Sequence, residues 1–298
     1  MITTRLRSTA INARNEALCR QPKLQKLIQY GAVRGYLPKS IYRRIQPIGV
    51  VTLHAPDGSP FRYESFEEDS HGRNIVWRDM RDWEPTTQPL LFSLAKRSEV
   101  FVDVGAHTGL YSLLACLANP ELRVFACEPN PDLARRIEAN VLLNELGDRI
   151  TIVEAAMSDT SGSATLSVPR KRSHAASLRS PDPGEGAVEV KVKTGDELLA
   201  GLPVDLVKID AEGLEAKVLR GMTEVLRARS PKLVVECLDG AALNSARDVV
   251  ADLGYHHIFH IGPGCVTSVE ASFPGPSAQF SNFLFSTEPY SERGAFSG

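Results

Sequence analysis

The chain lacks any apolar run long enough to span a bilayer, and its first residues carry no signal-peptide hydrophobic core. It is poor in cysteine. Cys19, Cys116, Cys127, Cys237 and Cys265 are odd in number and far apart, with no C-x-x-C pair and no His/Cys ligand spacing. A disulfide framework and a zinc site are therefore not indicated, and a reducing, cytoplasmic compartment is expected. Cys116, Cys127 and Cys237 lie in apolar runs and are expected to be buried thiols. The net charge of −2 leaves no overall excess for bulk nucleic-acid binding. There is no internal repeat. What is present is 298 residues with 43% hydrophobic content, enough for one large α/β domain with an extension.

The charge is uneven. Residues 1–46 hold ten Lys/Arg against Glu16 alone, a net of +9, so the rest of the chain carries −11. This stretch reads as a basic helical arm, with Pro22 interrupting any long helix. It is a solvated arm on the core, a surface for an anionic membrane or partner, or a transit peptide. Residues 47–97 read as a small cap: strands Ile48–Leu53 and Phe61–Ser65 flank the turn Ala55-Pro56-Asp57-Gly58, and a helix is expected over Pro89–Lys96.

From residue 98 to 290 strand and helix alternate. Expected strands are Val100–Val104, Leu122–Cys127, Ile150–Ala155, Val204–Ile209, Leu233–Cys237, His256–Ile261 and Phe280–Phe285. Helices are expected at Pro131–Leu146, Leu214–Ala228 and Leu243–Leu253. Ala164–Val168 and Val188–Val192 are candidate extra strands around residues 169–186, a polar insert read as a flexible loop or a lid. The pattern predicts a mostly parallel sheet with helices on both faces. In such sheets ligands sit beyond the carboxyl ends of the strands. Asp103, Glu128, Asp210 and Glu236 all fall there.

The first core strand runs into a glycine turn, Gly105-Ala106-His107-Thr108-Gly109, and then a helix. A dinucleotide site wants glycine where this chain has His107 and Leu110, and an imidazole would crowd a pyrophosphate. An acid at the strand end, Asp103, repels phosphate and accepts from an ammonium group. The pattern therefore points to S-adenosylmethionine, whose amino-acid end is zwitterionic. Glu128, 25 residues beyond Asp103, is placed to take two ribose hydroxyls. Asp159 is a candidate for the adenine amino group, or equally a turn residue beside Gly162.

Lys208, Asp210 and Glu212 stand out because Lys208 falls inside an expected central strand, where charge is costly unless paired. Period two puts Lys208 and Asp210 on one face. They form either a buried ion-pair lattice with Glu212 or Glu236, or the group that orients a substrate hydroxyl and removes its proton. For that base Asp210 ranks first, Glu212 second and His107 third. His256, His257 and His260 cluster late in the chain and read as edge-strand residues, with a metal site as the alternative.

Together D-V-G-A-H-T-G at 103–109, E-P-N-P at 128–131, Asn140, Asn144, S-D-x-x-G at 158–162, K-I-D-A-E-G at 208–213, V-L-R-G at 218–221 and V-V-E at 234–236 resemble the FkbM methyltransferases, over roughly residues 83–286. The resemblance implies a class I, Rossmann-like S-adenosylmethionine-dependent O-methyltransferase. Its sheet is then seven-stranded with the last strand antiparallel, and its acceptor is a hydroxyl of a sugar, glycan or secondary metabolite. His107 departs from the asparagine usual there. A nicotinamide-dependent oxidoreductase and a non-catalytic binding protein of the same fold are the alternatives. Nucleic acid is not the expected partner, since no N-P-P-Y-like motif follows the fourth strand.

Overall fold

The computed structural model describes residues 21–66, 70–168, 186–270, 273–277 and 279–290. The insert at 169–186, but for Gly186, and the start of the basic arm lie outside the described residues. The chain divides between Trp83 and Glu84 into two compact units.

In the first unit a helix over Pro22–Val33 begins at its proline, which suits the first turn because its missing N–H has no intrahelical acceptor. Strands β1 (Gly49–His54) and β2 (Pro60–Ser65) pair antiparallel, close to the expected hairpin. Alternation sets their faces: Val51, Leu53, Phe61 and Tyr63 are buried, while Val50, Thr52 and Arg62 look outward. Trp77 is fully buried and donates its indole N–H to the Ile45 carbonyl at 2.8 Å.

The second unit is built on strands β3 (Val100–Val104), β4 (Arg123–Cys127), β5 (Ile150–Val153), β6 (Ala156–Met157), β7 (Gly162–Val168), β8 (Gly186–Lys193), β9 (Val204–Ile209), β10 (Lys232–Glu236), β11 (His257–Gly262), β12 (Cys265–Ser268) and β13 (Asn282–Ser286). The main sheet has the order β12-β11-β13-β10-β9-β3-β4-β5. The five strands from β10 to β5 are parallel. β13 inserts antiparallel between β10 and β11. The seven-stranded expectation is corrected to eight, because the chain turns back at Pro263-Gly264 and adds β12 to the edge. The two extra strands around the insert join β6 in a separate three-stranded sheet in the order β6-β8-β7.

The helix expected over Leu214–Ala228 is two helices, Glu215–Arg220 and Thr223–Arg229. Gly221 lies at the break, where a Cβ would come within 2.0 Å of the Ser158 carbonyl oxygen, so the chain must pass there without a side chain. Cys116, Cys127 and Cys237 are buried thiols, as expected.

Strand alternation also divides the sheet by chemistry. Val102, Val104, Val207, Ile209, Leu233, Val235, Phe283 and Phe285 point into an apolar cluster with helix residues Val218, Leu219, Leu243 and Ala246. The alternate positions near the carboxyl ends of the parallel strands are Asp103, Lys208 and Glu236, and in register beside the last is Asn282. One face is apolar across the central strands, and the other carries a polar patch at the end where ligands bind in such sheets.

Candidate functional site

The glycine turn after β3 is tied down on both sides. Gly105 and Ala106 donate to the Cys127 carbonyl at 2.9 and 3.1 Å, which binds the turn to the end of β4. Gly105 has φ 75°, and a Cβ on it would meet the Asp210 carbonyl oxygen at 1.9 Å. The loops after β3 and β9 can approach this closely only because residue 105 has no side chain. His107 is held in the left-handed region at φ 54°, where L-residues are strained. Its backbone N–H donates to Glu128 Oε2 at 2.9 Å. Buried Asn140 donates to the Thr108 carbonyl at 2.9 Å and locks the far end of the turn.

Glu128 is 5% exposed. Its other oxygen accepts from the Asn130 N–H at 2.9 Å, so two backbone donors fix the carboxylate plane. Burial pushes its pKa up to about 7; the Asn130 and His107 N–H groups oppose this, and the charges of Asp103 and Asp210 add to it.

Beside it lies a buried polar cluster. Asp103 accepts from the Ser112 hydroxyl at 2.7 Å. Lys208, 3% exposed, donates to Asp210 Oδ2 at 3.1 Å and sits 5.0 Å from the centroid of the Tyr111 ring. Tyr111 donates its hydroxyl to Glu84 in a short hydrogen bond. Glu84 also accepts from Asn282, and Glu236 is hydrogen-bonded to Asp210 and accepts from the Ser281 hydroxyl at 2.8 Å. Lys208 and Asp210 are therefore brought together as the spacing predicts, with Asp103 in register beside Lys208 and Glu236 as the lattice partner.

Glu212 stands next to this group at φ 50°. Burial first, then the charges of Asp210 and Glu215, raise its pKa to about 7. Asp159 lies outside the cluster, in the turn after β6, with Ser158 Oγ 3.2 Å from its Oδ1. His256 is exposed, and His260 packs between the rings of Phe273 and Phe283, its Nε2 3.0 Å from the Phe280 carbonyl.

Sequence reasoning missed Glu84, Tyr111, Ser112 and Asn282. Tyr111 and Ser112 carried a signal: they fall in the first turn of the helix that follows the glycine turn. Glu84 and Asn282 come from the two far ends of the unit, and nothing local marks them.

One cation among four carboxyl groups cannot balance them all, and burial raises the pKa of Glu84, Asp103 and Glu236. Burial first, then the charge and hydrogen bond of Asp210, raise the Glu236 pKa to about 9 from an ordinary 4.5; Lys208 and Ser281 oppose this. A folded-state pKa raised in this way makes its contribution in full below 4.5 and loses it as pH rises through about 9. The unfolding free energy is thus expected to fall between pH 6 and 9, with a slope of at most about 1.4 kcal/mol per pH unit for this one proton, and melting temperature to fall with it. Glu236→Gln should flatten that slope in thermal melts across the same range.

Residues 103–256, about half of the chain, match the Methyltransferase FkbM domain family. Hexuronic acid methyltransferase AglP of Haloferax volcanii is 30% identical over 176 residues, covering 56% of this chain and 66% of that protein. Methyltransferase sdnD of Sordaria araneosa is 27% identical over 155 residues, covering 41% of this chain and 60% of that protein. The chain thus spans under two thirds of the length of these curated relatives. Among solved structures, Methyltransferase FkbM from Methylobacillus flagellatus KT aligns at 16% identity and a TM-score of 0.43, over 72% of this chain and 52% of that one.

Proposed function

The chain belongs to the FkbM methyltransferase domain family, and from that premise we propose that it transfers a methyl group from S-adenosylmethionine to a hydroxyl of a sugar, glycan or secondary metabolite. The observation that carries this reading is Glu128, a buried carboxylate fixed by two backbone N–H groups beside a glycine turn. A carboxylate so fixed has acceptor capacity left for a pair of ribose hydroxyls. The donor set suits a ligand with a cationic end: acids, not a nest of free N–H groups, surround the turn.

We assign Asp103 to the ammonium end of the cofactor, Gly105, His107 and Gly109 to the turn that lies against it, Glu128 to the ribose and Asp159 to the adenine amino group. The cofactor supplies a methyl group on a sulfonium, open to in-line displacement by an oxygen nucleophile. Asp210 takes the proton from the acceptor hydroxyl. Lys208 holds the Asp210 carboxylate in place through Oδ2, and Glu212 is the second candidate base. The hexuronic acid methyltransferase relative supports testing uronic acid glycosides first, followed by hydroxylated secondary metabolites.

The test is calorimetric titration of S-adenosylmethionine and, separately, NADH into wild type and Glu128→Gln. Binding of S-adenosylmethionine alone is expected, weakened by about 1.5–3 kcal/mol in the variant, the size of a lost charged hydrogen bond. Folded protein that binds NADH but not S-adenosylmethionine would overturn the reading.

A further inference from the structure

The helix Pro22–Val33 is turned against its own composition. A helix on a soluble protein normally buries its apolar stripe. Here the buried positions include Gln25, which donates to the Ile48 carbonyl at 2.6 Å, while Gln29 donates to the carbonyls of Thr52 and Val76. Leu27 and Tyr30 look outward, 66% and 55% exposed. With Lys23 and Arg34 they follow a spacing of four, three and four, a single helical stripe. Arg34 lies 5.7 Å from the Tyr30 ring centroid, and Tyr36 is 6.3 Å from Tyr30. Among the described residues eight large apolar side chains are exposed, and five of them, Leu27, Tyr30, Tyr36, Ile41 and Val50, fall within one stretch of this unit. The same stretch exposes Lys23, Lys26, Arg34, Lys39, Arg43 and Arg44, and no Asp or Glu occurs between residues 17 and 56.

We propose that this face rests on the surface of an anionic lipid bilayer. Both halves of the pattern are needed for that assignment. Cations without acids are drawn to anionic headgroups, and Tyr and Leu among them gain by entering the boundary between headgroup and acyl chain. A nucleic acid would use the cations and the tyrosines but has no use for exposed Leu27 and Ile41. An acidic protein partner would satisfy the charge, yet a stretch this rich in arginine and lysine, with no acid of its own and only Glu64 of the neighbouring strand opposite Val50, offers little specificity against any other anion. The inference is independent of the methyl-transfer reading, because its test reads lipid binding alone.

The experiment is sedimentation of the full chain with vesicles of phosphatidylcholine alone and of phosphatidylcholine carrying phosphatidylglycerol. Partition onto the anionic vesicles is expected, with little onto the neutral ones, and release as salt rises. The triple variant Lys23→Gln/Lys26→Gln/Arg34→Gln should weaken partition by about 100-fold. Leu27→Glu/Tyr30→Glu should do so at least as strongly; all five positions are exposed, so melting transitions should match wild type. Absence of partition at low salt would overturn the proposal. So would equal partition onto neutral vesicles, partition unchanged in both variants, or binding of a DNA or RNA duplex through this face with none to vesicles.

Discussion

Asp210→Asn is expected to lower kcat by about 10²–10⁴-fold, the contribution of a positioned general base, while S-adenosylmethionine affinity changes only a few-fold. The substitution separates charge from shape. Asparagine fills the same volume, and its carbonyl oxygen can still accept from Lys208, which now sits 3.1 Å from the carboxylate. What it cannot do is take a proton from an alcohol. A truncation to alanine would instead leave Lys208 facing a gap and confuse catalysis with folding.

The comparison that makes this decisive is Glu212→Gln, measured on whichever acceptor of the panel is methylated. Glu212 has its pKa lifted to about 7, burial leading and the charges of Asp210 and Glu215 following. That value alone would suit a base at neutral pH, which is why Glu212 is the rival. Asp210 has the better mechanical support, being held by Lys208 and hydrogen-bonded to Glu236. If Glu212→Gln falls by the larger factor and Asp210→Asn keeps more than a tenth of the wild-type rate, the base is Glu212 and the Lys208–Asp210 pair is structural.

How much of this site was legible in the sequence follows from the distance over which each signal acts. Lys208 and Asp210 are two apart on a strand, so their shared face is a property of the pleat and needs no fold. Asp103, Glu128, Asp210 and Glu236 are legible as strand-end acids, because the apolar runs before them mark where each strand stops. Their meeting place follows from parallel strands placing all carboxyl ends on one side. Glu84 and Asn282 were not legible. One precedes the core strands and the other sits in an antiparallel strand, and only the closed sheet brings them to Tyr111 and Lys208. β12 was missed for a local reason: Cys265–Ser268 is short and half polar, and its pairing depends on the turn at Pro263-Gly264. The inverted helix at 22–33 was illegible in a deeper sense. Its Gln25 is buried and its Gln29 half-buried because they cap carbonyls of distant segments, a use of polarity that periodicity reads as solvent exposure.

Lys208 carries the largest structural consequence. It is a nearly fully buried cation in a central strand, facing Asp210, Glu84, Asp103 and Glu236. Burial on its own would strip its proton, and those four acids outweigh it, so its pKa stands above the ordinary lysine value. Lys208→Met keeps the stem and removes the charge. The acids then face one another with no cation among them, and breaking a buried pair from one side costs about 3–5 kcal/mol. The loss must depend on pH. Burial already raises Glu84 and Asp103, and burial with Asp210 raises Glu236; without Lys208 they rise further. Toward pH 5 Glu236 is protonated and the repulsion weakens, so the deficit is expected to shrink toward about 1 kcal/mol, the remaining hydrogen bond. Near pH 8 holding those protons works against the fold, and the full deficit appears. Urea unfolding of wild type and variant at both pH values reads this directly. A deficit equal at the two pH values would mean that Lys208 acts through its packing against Tyr111. No deficit at either would mean that the acids are spread too widely in solvent to need a cation, and the lattice would then have no part in holding Asp210 where a substrate hydroxyl can reach it.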